Sequence, residues 1–317
     1  MFAERKRKLE AATKRKKLNT SVINSWQLYL MLLIPIVYLI VFKYVPMFGV
    51  TLAFKDYTFS GGIWGSPWVG LSNFKKFFSS YQFGRVLWNT VRLSLYSIVA
   101  GFPLPIILAL ILNATQRKLL KKTVQLVTYL PHFISMVVMV GILSSMFNVR
   151  IGLYGTICKL LGVNAYDVLG SADAFPHFYV WTGVWQEMGW GTIVFLAALS
   201  AVDVSQHEAA IVDGASRFRR ILCIDLPSIS TTIIILLIMR CGEVMNIGFE
   251  KAFLLQNSIN LSSSEIISTY VYKTGLVTGG GDFSYATAIG LFNSVINFGI
   301  LLLVNFVSGK VAEVNLF

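Results

Sequence analysis

Six long apolar stretches dominate the sequence, at roughly 26–47, 86–112, 123–147, 178–200, 228–248 and 284–307. Crossing the hydrocarbon core of a bilayer takes about 20 mostly apolar residues per helix. A closed barrel would show many shorter alternating segments instead, and these are absent. Each stretch therefore predicts one transmembrane helix, and the chain is expected to be all-α, a polytopic membrane protein with six transmembrane helices. The composition agrees: 55% of the 317 residues are apolar and only 13% are charged, too greasy for a water-soluble globule. The first stretch follows a basic segment but is long for the apolar part of a signal peptide. No small-residue cleavage site follows it, so it is expected to stay as the first helix. Pro35 and Pro46 are tolerated there as kinks.

The net charge of +12 is unevenly spread. Residues 1–26 carry eight Lys/Arg, and the short connection "NATQRKLLKKT" carries four with no acid. Bases in short connections stay on the cytoplasmic side, so 1–25 is read as a cytoplasmic basic tail ahead of one membrane domain over 26–317. Both termini and the connections near 113–123 and 201–227 then face the cytoplasm. The longer connections near 48–85, 148–177 and 249–283 face outward. Beside a membrane, attraction to anionic lipid explains the basic tail without nucleic acid. Cys158, Cys223 and Cys241 are widely spaced and suggest neither a disulfide framework nor a metal site.

One polar loop, "EAAIVDGASRFRRILCIDLP" from Glu208 to Pro227, interrupts the apolar pattern. Asp203 is placed to cap a short helix, with Gln206 in capping-box position. Gly214 is placed to stop that helix in a left-handed turn. A second helix is expected from Ser216 to Pro227, giving a helix–turn–helix elbow at 203–227. On composition alone the elbow is a connector resting on the bilayer, its arginines against lipid phosphates. Its spacing says more: Glu-Ala-Ala, three residues, Gly, nine residues, then Ile-x-Leu-Pro resembles the EAA signature of ABC-importer permeases. Glu208, Ala209, Ala210, Gly214, Ile224, Leu226 and Pro227 match that signature without departure. The stretches "SWQLYLMLLIPIVYLIVFKYVPMFGVTLAFKDY", "GSPWVGLSNFKKFF" and "YLPHFIS" further resemble the maltose-permease-like carbohydrate permeases. They are most similar to lipoprotein-dependent polysaccharide and aldouronate permeases.

The resemblance implies a type I ABC-importer permease fold in a bacterial cell membrane, with six core helices. It implies pairing with a second homologous permease, usually a different chain, and two ABC ATPase subunits below that carry ATP and Mg. A solute-binding protein would deliver an oligosaccharide from outside. The elbow would be the coupling element, with Glu208 facing the ATPase, Ala209 and Ala210 allowing close approach, and Gly214 making the turn. The chain itself has no phosphate loop of the GxxxxGK[ST] type and no convergent acids, so neither a cofactor nor catalytic residues are expected in it. His207-Glu208 lacks a second zinc ligand at Ile211, and His132 and His177 stand alone in the sequence.

Ionisable residues inside membrane spans are costly and usually face a cavity or a partner. Glu187 on the fourth span shares a helical face with Gly183 and Trp190, flanked by Trp181 and Trp185. Arg240 and Glu243 on the fifth span are three apart and can pair on one face. In related permeases the helices flanking the EAA loop line the solute path, so Gly183, Glu187, Trp190, Arg240, Glu243, Val244, Asn246 and Ile247 are candidate path residues. The alternative readings are an internal ion pair for Arg240 and Glu243, an interfacial anchor for the tryptophans, and snorkelling for Arg92. At the level of the whole chain the rivals are a lipid-linked transferase, a membrane adaptor that moves no solute, and the same machinery with another cargo.

Overall fold

The computed structural model describes residues 25–277 and 281–312, so the basic tail, Ser25 apart, lies outside the described residues. Among these residues the regular structure is all helical, the only extended pairing being an isolated bridge between Lys55 and Trp68. Three helices are long and apolar enough to cross a membrane unbroken: α1 (Trp26–Phe54), α2 (Tyr81–Ala114) and α11 (Phe283–Ala312). Three further crossings qualify only as bent pairs. These are α3 (Lys118–Phe133) with α4 (Met136–Met146), α5 (Phe175–Ser200) with α6 (Val204–Val212), and α7 (Arg217–Ser228) with α8 (Ser230–Gly242). Short helical segments lie between α8 and α11, among them α9 (Phe249–Leu255) and α10 (Ile267–Tyr272).

The bends correct two expected boundaries. The stretch 123–147 is not one straight helix: α3 and α4 meet at 103°. Pro131 tightens the end of α3 into a 3₁₀ turn over Leu130–Phe133, Ile134 is extended, and the Ser135 side chain then accepts from Val138 N–H to start α4. The fifth stretch ends at Gly242 rather than 248. Prolines shape the other spans more gently. Turns of π-helix over Ile40–Tyr44 and Ile221–Asp225 each end two residues before a proline, Pro46 and Pro227. A proline lacks the N–H of the regular turn and its ring collides with the carbonyl four residues back; a widened turn relieves both without ending the helix.

Three apolar clusters hold the bundle. Leu93, Met139, Leu143, Phe178 and Tyr179 join α2, α4 and α5. Val86, Met245, Ile267, Tyr285 and Ile289 join α2, α10 and α11. Ile106, Ala109, Phe195, Leu199 and Ile229 pack the elbow ends of α2 and α5 against the start of α8. Gly189 lets α3 lie close against α5, because a Cβ there would collide with the Thr128 backbone. By contrast, Trp26–Met47 of α1 buries nothing within the chain. A helix apolar on every side needs lipid or another protein around it.

Candidate functional site

The elbow is built by its caps. Asp203 Oδ1 accepts from Ser205 N–H at 2.9 Å, a bond that holds its carboxyl below the usual carboxylate range. At the far end of α6, Gly214 has φ +76°. Ala215 N–H reaches the Ala210 carbonyl at 2.8 Å and Gly214 N–H the Ile211 carbonyl at 3.0 Å, the paired bonds of a Schellman stop. Ser216 Oγ then accepts from Arg219 N–H at 3.3 Å to open α7. Of the seven signature residues, Glu208, Ala209, Gly214 and Pro227 are exposed, while Ala210, Ile224 and Leu226 are half-buried. Leu226 packs on the cluster around Phe195 and Leu199. Beside them Val212 and Phe218 are 87% and 70% exposed, apolar side chains on an otherwise polar loop. The elbow is clipped to the rest of the chain from below. His207 Nε2 lies 3.2 Å from the buried Asp225 Oδ1, which also accepts from Asn113 Nδ2 at 3.3 Å. Arg217 donates to Gln116 Oε1 at 3.3 Å.

At the other end of α8 the chain unwinds. Glu243 has φ −107° and ψ 15°, outside helical register, so the three-residue spacing no longer aligns it with Arg240. The two form no ion pair, so the pairing that their spacing allows is not made. Non-helical backbone at membrane depth persists only where it is buried in protein or lines a watery cavity, and this segment does both. The Val244 carbonyl accepts from Ser94 Oγ, and Met245 N–H donates to Asn297 Oδ1 at 2.9 Å. Asn293 Nδ2 donates to Asn246 Oδ1 at 2.8 Å, and Tyr179 OH to the Gly248 carbonyl at 3.2 Å. A cavity of about 90 Å³ opens beside it, and Arg240, Glu243, Val244, Asn246 and Ile247, all five expected path residues of this region, line it. Ser94 and Ser97 of α2 close its far side. Arg240, Glu243 and Asn246 are exposed within this chain.

Gly183, Glu187 and Trp190 form a second group, on α5. His132 Nδ1 lies 2.9 Å from Glu187 Oε2, and its ring stacks on Trp190 at 4.3 Å and 3°. Phe133 meets the edge of the same indole at 5.7 Å. Lys251, from α9, is buried with its Nζ on the Tyr179 carbonyl at 2.7 Å and against Gly183, where a Cβ would sit 3.1 Å from it. Burial pulls this amine down to about 7, opposed by the charge of Glu187. Sequence reading missed His132 and Lys251. His132 looked isolated because its carboxylate partner is 55 residues away, and Lys251 sat in what read as an outer loop. The histidines are in fact all engaged: His177 Nδ1 meets Tyr96 OH at 2.9 Å, and Trp181 Nε1 donates to that hydroxyl at 2.9 Å. Among the described residues no group of three His, Cys, Asp or Glu is placed to hold a metal.

A chain with a capped, exposed elbow and broken helices has relatives both in sequence and in fold. Residues 101–313 match the family described as "Binding-protein-dependent transport system inner membrane component". The chain is 44% identical over 290 residues to Protein LplB of Bacillus subtilis (strain 168), covering 92% of this chain and 91% of the relative. It is 40% identical over 300 residues to the polygalacturonan/rhamnogalacturonan transport system permease protein YteP of the same organism, covering 95% and 93%. Among solved structures it is similar to a chain of a bacterial alginate ABC transporter in complex with an alginate pentasaccharide-bound periplasmic protein. That match has a TM-score of 0.85 and 35% identity, and covers 94% of this chain and 99% of that one. The elbow and the fold around it are thus those of a family, and the chain belongs to it: it is a multi-pass membrane permease subunit of the binding-protein-dependent ABC transport systems, a transport subunit rather than an enzyme.

Proposed function

We propose that the chain forms one side of the translocation path for an oligosaccharide, with its elbow end in the cytoplasm and the α9–α10 end facing out. The observation that carries this reading is the unwound segment Glu243–Gly248, which sets polar side chains around a cavity at membrane depth. Unwound stretches within spans are where transporters hold solutes. Aromatic rings such as Trp190 and Trp181 suit the apolar faces of sugar rings, and Glu187, Arg240, Glu243 and Asn246 suit their hydroxyls. YteP and the alginate transporter, by their names, carry saccharides.

On this reading the exposed surface of Glu208, Ala209, Val212 and Phe218 docks on a cytoplasmic ATPase, two of which bind ATP and Mg. A second, related permease completes the path, lipid surrounds the pair, and a solute-binding protein delivers the sugar. The mechanics follow from connectivity. Only three residues separate α5 from α6, and buried Ile229 alone joins α7 to α8. A push on the elbow is therefore felt by the two helices that carry Glu187 and Arg240. The test is uptake of labelled oligosaccharides by cells expressing the whole transporter with Asn246→Ala, Arg240→Gln or Glu187→Gln. The proposal expects altered apparent affinity or sugar preference at wild-type protein levels. Unchanged uptake in all three would overturn it.

A further inference from the structure

A second cavity, of about 250 Å³, lies between the elbow and the end of α2. Its polar wall comprises Asn113, Gln116, His207, Arg217, Arg220 and Asp225. The charges do not cancel. The one acid, Asp225, has its carboxylate oxygen taken up by His207 and Asn113. Arg217 bonds only the neutral Gln116, and the Nε of Arg220 is shielded from solvent without a partner. Two guanidinium groups thus share the cavity with a single carboxylate, whose Oδ1 is already engaged, so positive charge is in excess there. Arg117, Lys118, Lys121 and Lys122 follow directly after Gln116, with no acid among them.

Guanidinium groups matched to planar or tetrahedral oxyanions are the usual phosphate readers. The surroundings say which phosphate. Ala114 lines the cavity, and Ile111 and Ile107 continue its face of α2 one and two turns further into the bundle, 55% and 48% exposed. An apolar strip running from a cationic cavity into the membrane fits a headgroup with acyl chains, which a free anion does not need. Helical spacing also separates this site from the coupling surface: Val204 and His207 face the cavity, so Ala209 and Val212 point away from it.

We propose that this cavity binds the phosphate headgroup of an anionic phospholipid, which braces the elbow against α2. Basic pockets between helices at the membrane surface recognise such headgroups. The site is independent of which solute the transporter carries.

The test uses the purified full-length chain in non-ionic detergent, titrated with phosphatidylglycerol or phosphatidylcholine and read by native mass spectrometry. Phosphatidylglycerol should bind about tenfold or more tightly than phosphatidylcholine, the scale expected for two cationic contacts. The double variant R217Q/R220Q should lose that preference, whereas K121Q/K122Q, with the same change in charge, should keep it. Ala114→Trp, which fills the cavity and leaves every charge in place, should also lose it, so the idea stays testable if the arginine variant fails to fold. Equal affinity for the two lipids would overturn the proposal, as would equal loss in both double variants, which marks diffuse attraction. Displacement of the lipid by millimolar inorganic phosphate would assign the cavity to a free anion instead and also overturn it.

Discussion

Gly189→Ala is a one-carbon change that should reach the α5 group through the backbone. An added Cβ would sit 2.9 Å from the Thr128 Cβ and nearer still to the Thr128 carbonyl. Carbon atoms rest about 3.5 Å apart at closest favourable contact, so α3 must retreat by at least about 0.6 Å, and the carbonyl demands more. His132 stands one turn beyond Thr128 on the same stretch, 2.9 Å from Glu187. The same retreat stretches that contact to about 3.5 Å or beyond, where a hydrogen bond is lost, and unseats the imidazole from the Trp190 ring. Forcing a methyl into packed backbone costs about 1–3 kcal/mol. Two other glycines serve as controls. At Gly183 the new Cβ meets only the Lys251 Nζ, the far end of a long side chain, at 3.1 Å, and at Gly141 it meets nothing within 4 Å. Gly183→Ala should be tolerated, and Gly141→Ala should gain up to about 1 kcal/mol from helix propensity. Thermal unfolding in detergent and oligosaccharide uptake at matched protein levels read the two effects. Gly189→Ala should lower the unfolding midpoint and weaken uptake, and its effect on uptake should shrink in a His132→Ala background. Wild-type behaviour of Gly189→Ala in both assays would refute the close approach of α3 as the element that places His132.

Four further outcomes are expected. Gly214→Val forces a β-branched residue to φ +76°, at a cost of about 1–2 kcal/mol. It and Ala209→Trp should depress sugar-stimulated ATP hydrolysis in the assembled transporter while leaving the chain in the membrane; normal stimulation in both would remove the elbow from coupling. Because Arg240 and Glu243 do not pair, Arg240→Ala should accumulate no less than the double change with Glu243→Ala, and rescue of accumulation by the double change would reinstate the ion pair. The Lys251 amine titrates near 7 in the folded chain against 10.5 ordinarily, so the unfolded chain holds the extra proton between those values. Stability should then rise with pH across that window by up to about 1.4 kcal/mol per unit, and Lys251→Met should flatten the rise; an unchanged slope would show the amine to be solvated. In a background lacking Cys158, Cys223 and Cys241, single cysteines at Trp64 and Ser262 should react with an impermeant thiol reagent in intact cells, and cysteines at Lys118 and Val212 should not; the opposite pattern would invert the topology.

How far the sequence carries depends on whether a feature is made by neighbours in the chain. The elbow is legible because its caps and its turn are local: Asp203 caps two residues on, Gly214 serves a left-handed stop, and Ser216 caps three residues on. Hydropathy marks the spans for the same reason, since lipid asks only for about twenty apolar residues in a row. The breaks are a different matter. Pro131 and Ser135 mark the break locally, yet "MVVMVGILSSM" reads as more of the same span, and where α4 comes to rest depends on Met139 and Leu143 joining the cluster with Phe178. At the end of α8 the helix can stop because Ser94, Tyr179 and Asn297, from three other helices, bond its freed backbone groups, while Asn293 holds the Asn246 side chain. Asn297 is 52 residues from the Met245 amide it satisfies. No pattern in the residues around Met245 announces such a partner.

The buried asparagines are the clue that was available. An amide side chain inside a span is costly unless something needs it, and Asn293 and Asn297 recur four apart on one face of the last apolar stretch. Such amides imply polar groups on the element facing them, here the Met245 N–H for Asn297 and the Asn246 side chain for Asn293, and polar groups at that depth are kept where protein or a cavity satisfies them. The polar residues that hydropathy treats as blemishes in α11 therefore point to where α8 opens. By the same logic Ser94 and Ser97 in α2 could have been placed on the cavity wall before any coordinates, whereas the stacking of His132 on Trp190 could not, because it depends on how closely Gly189 lets α3 approach.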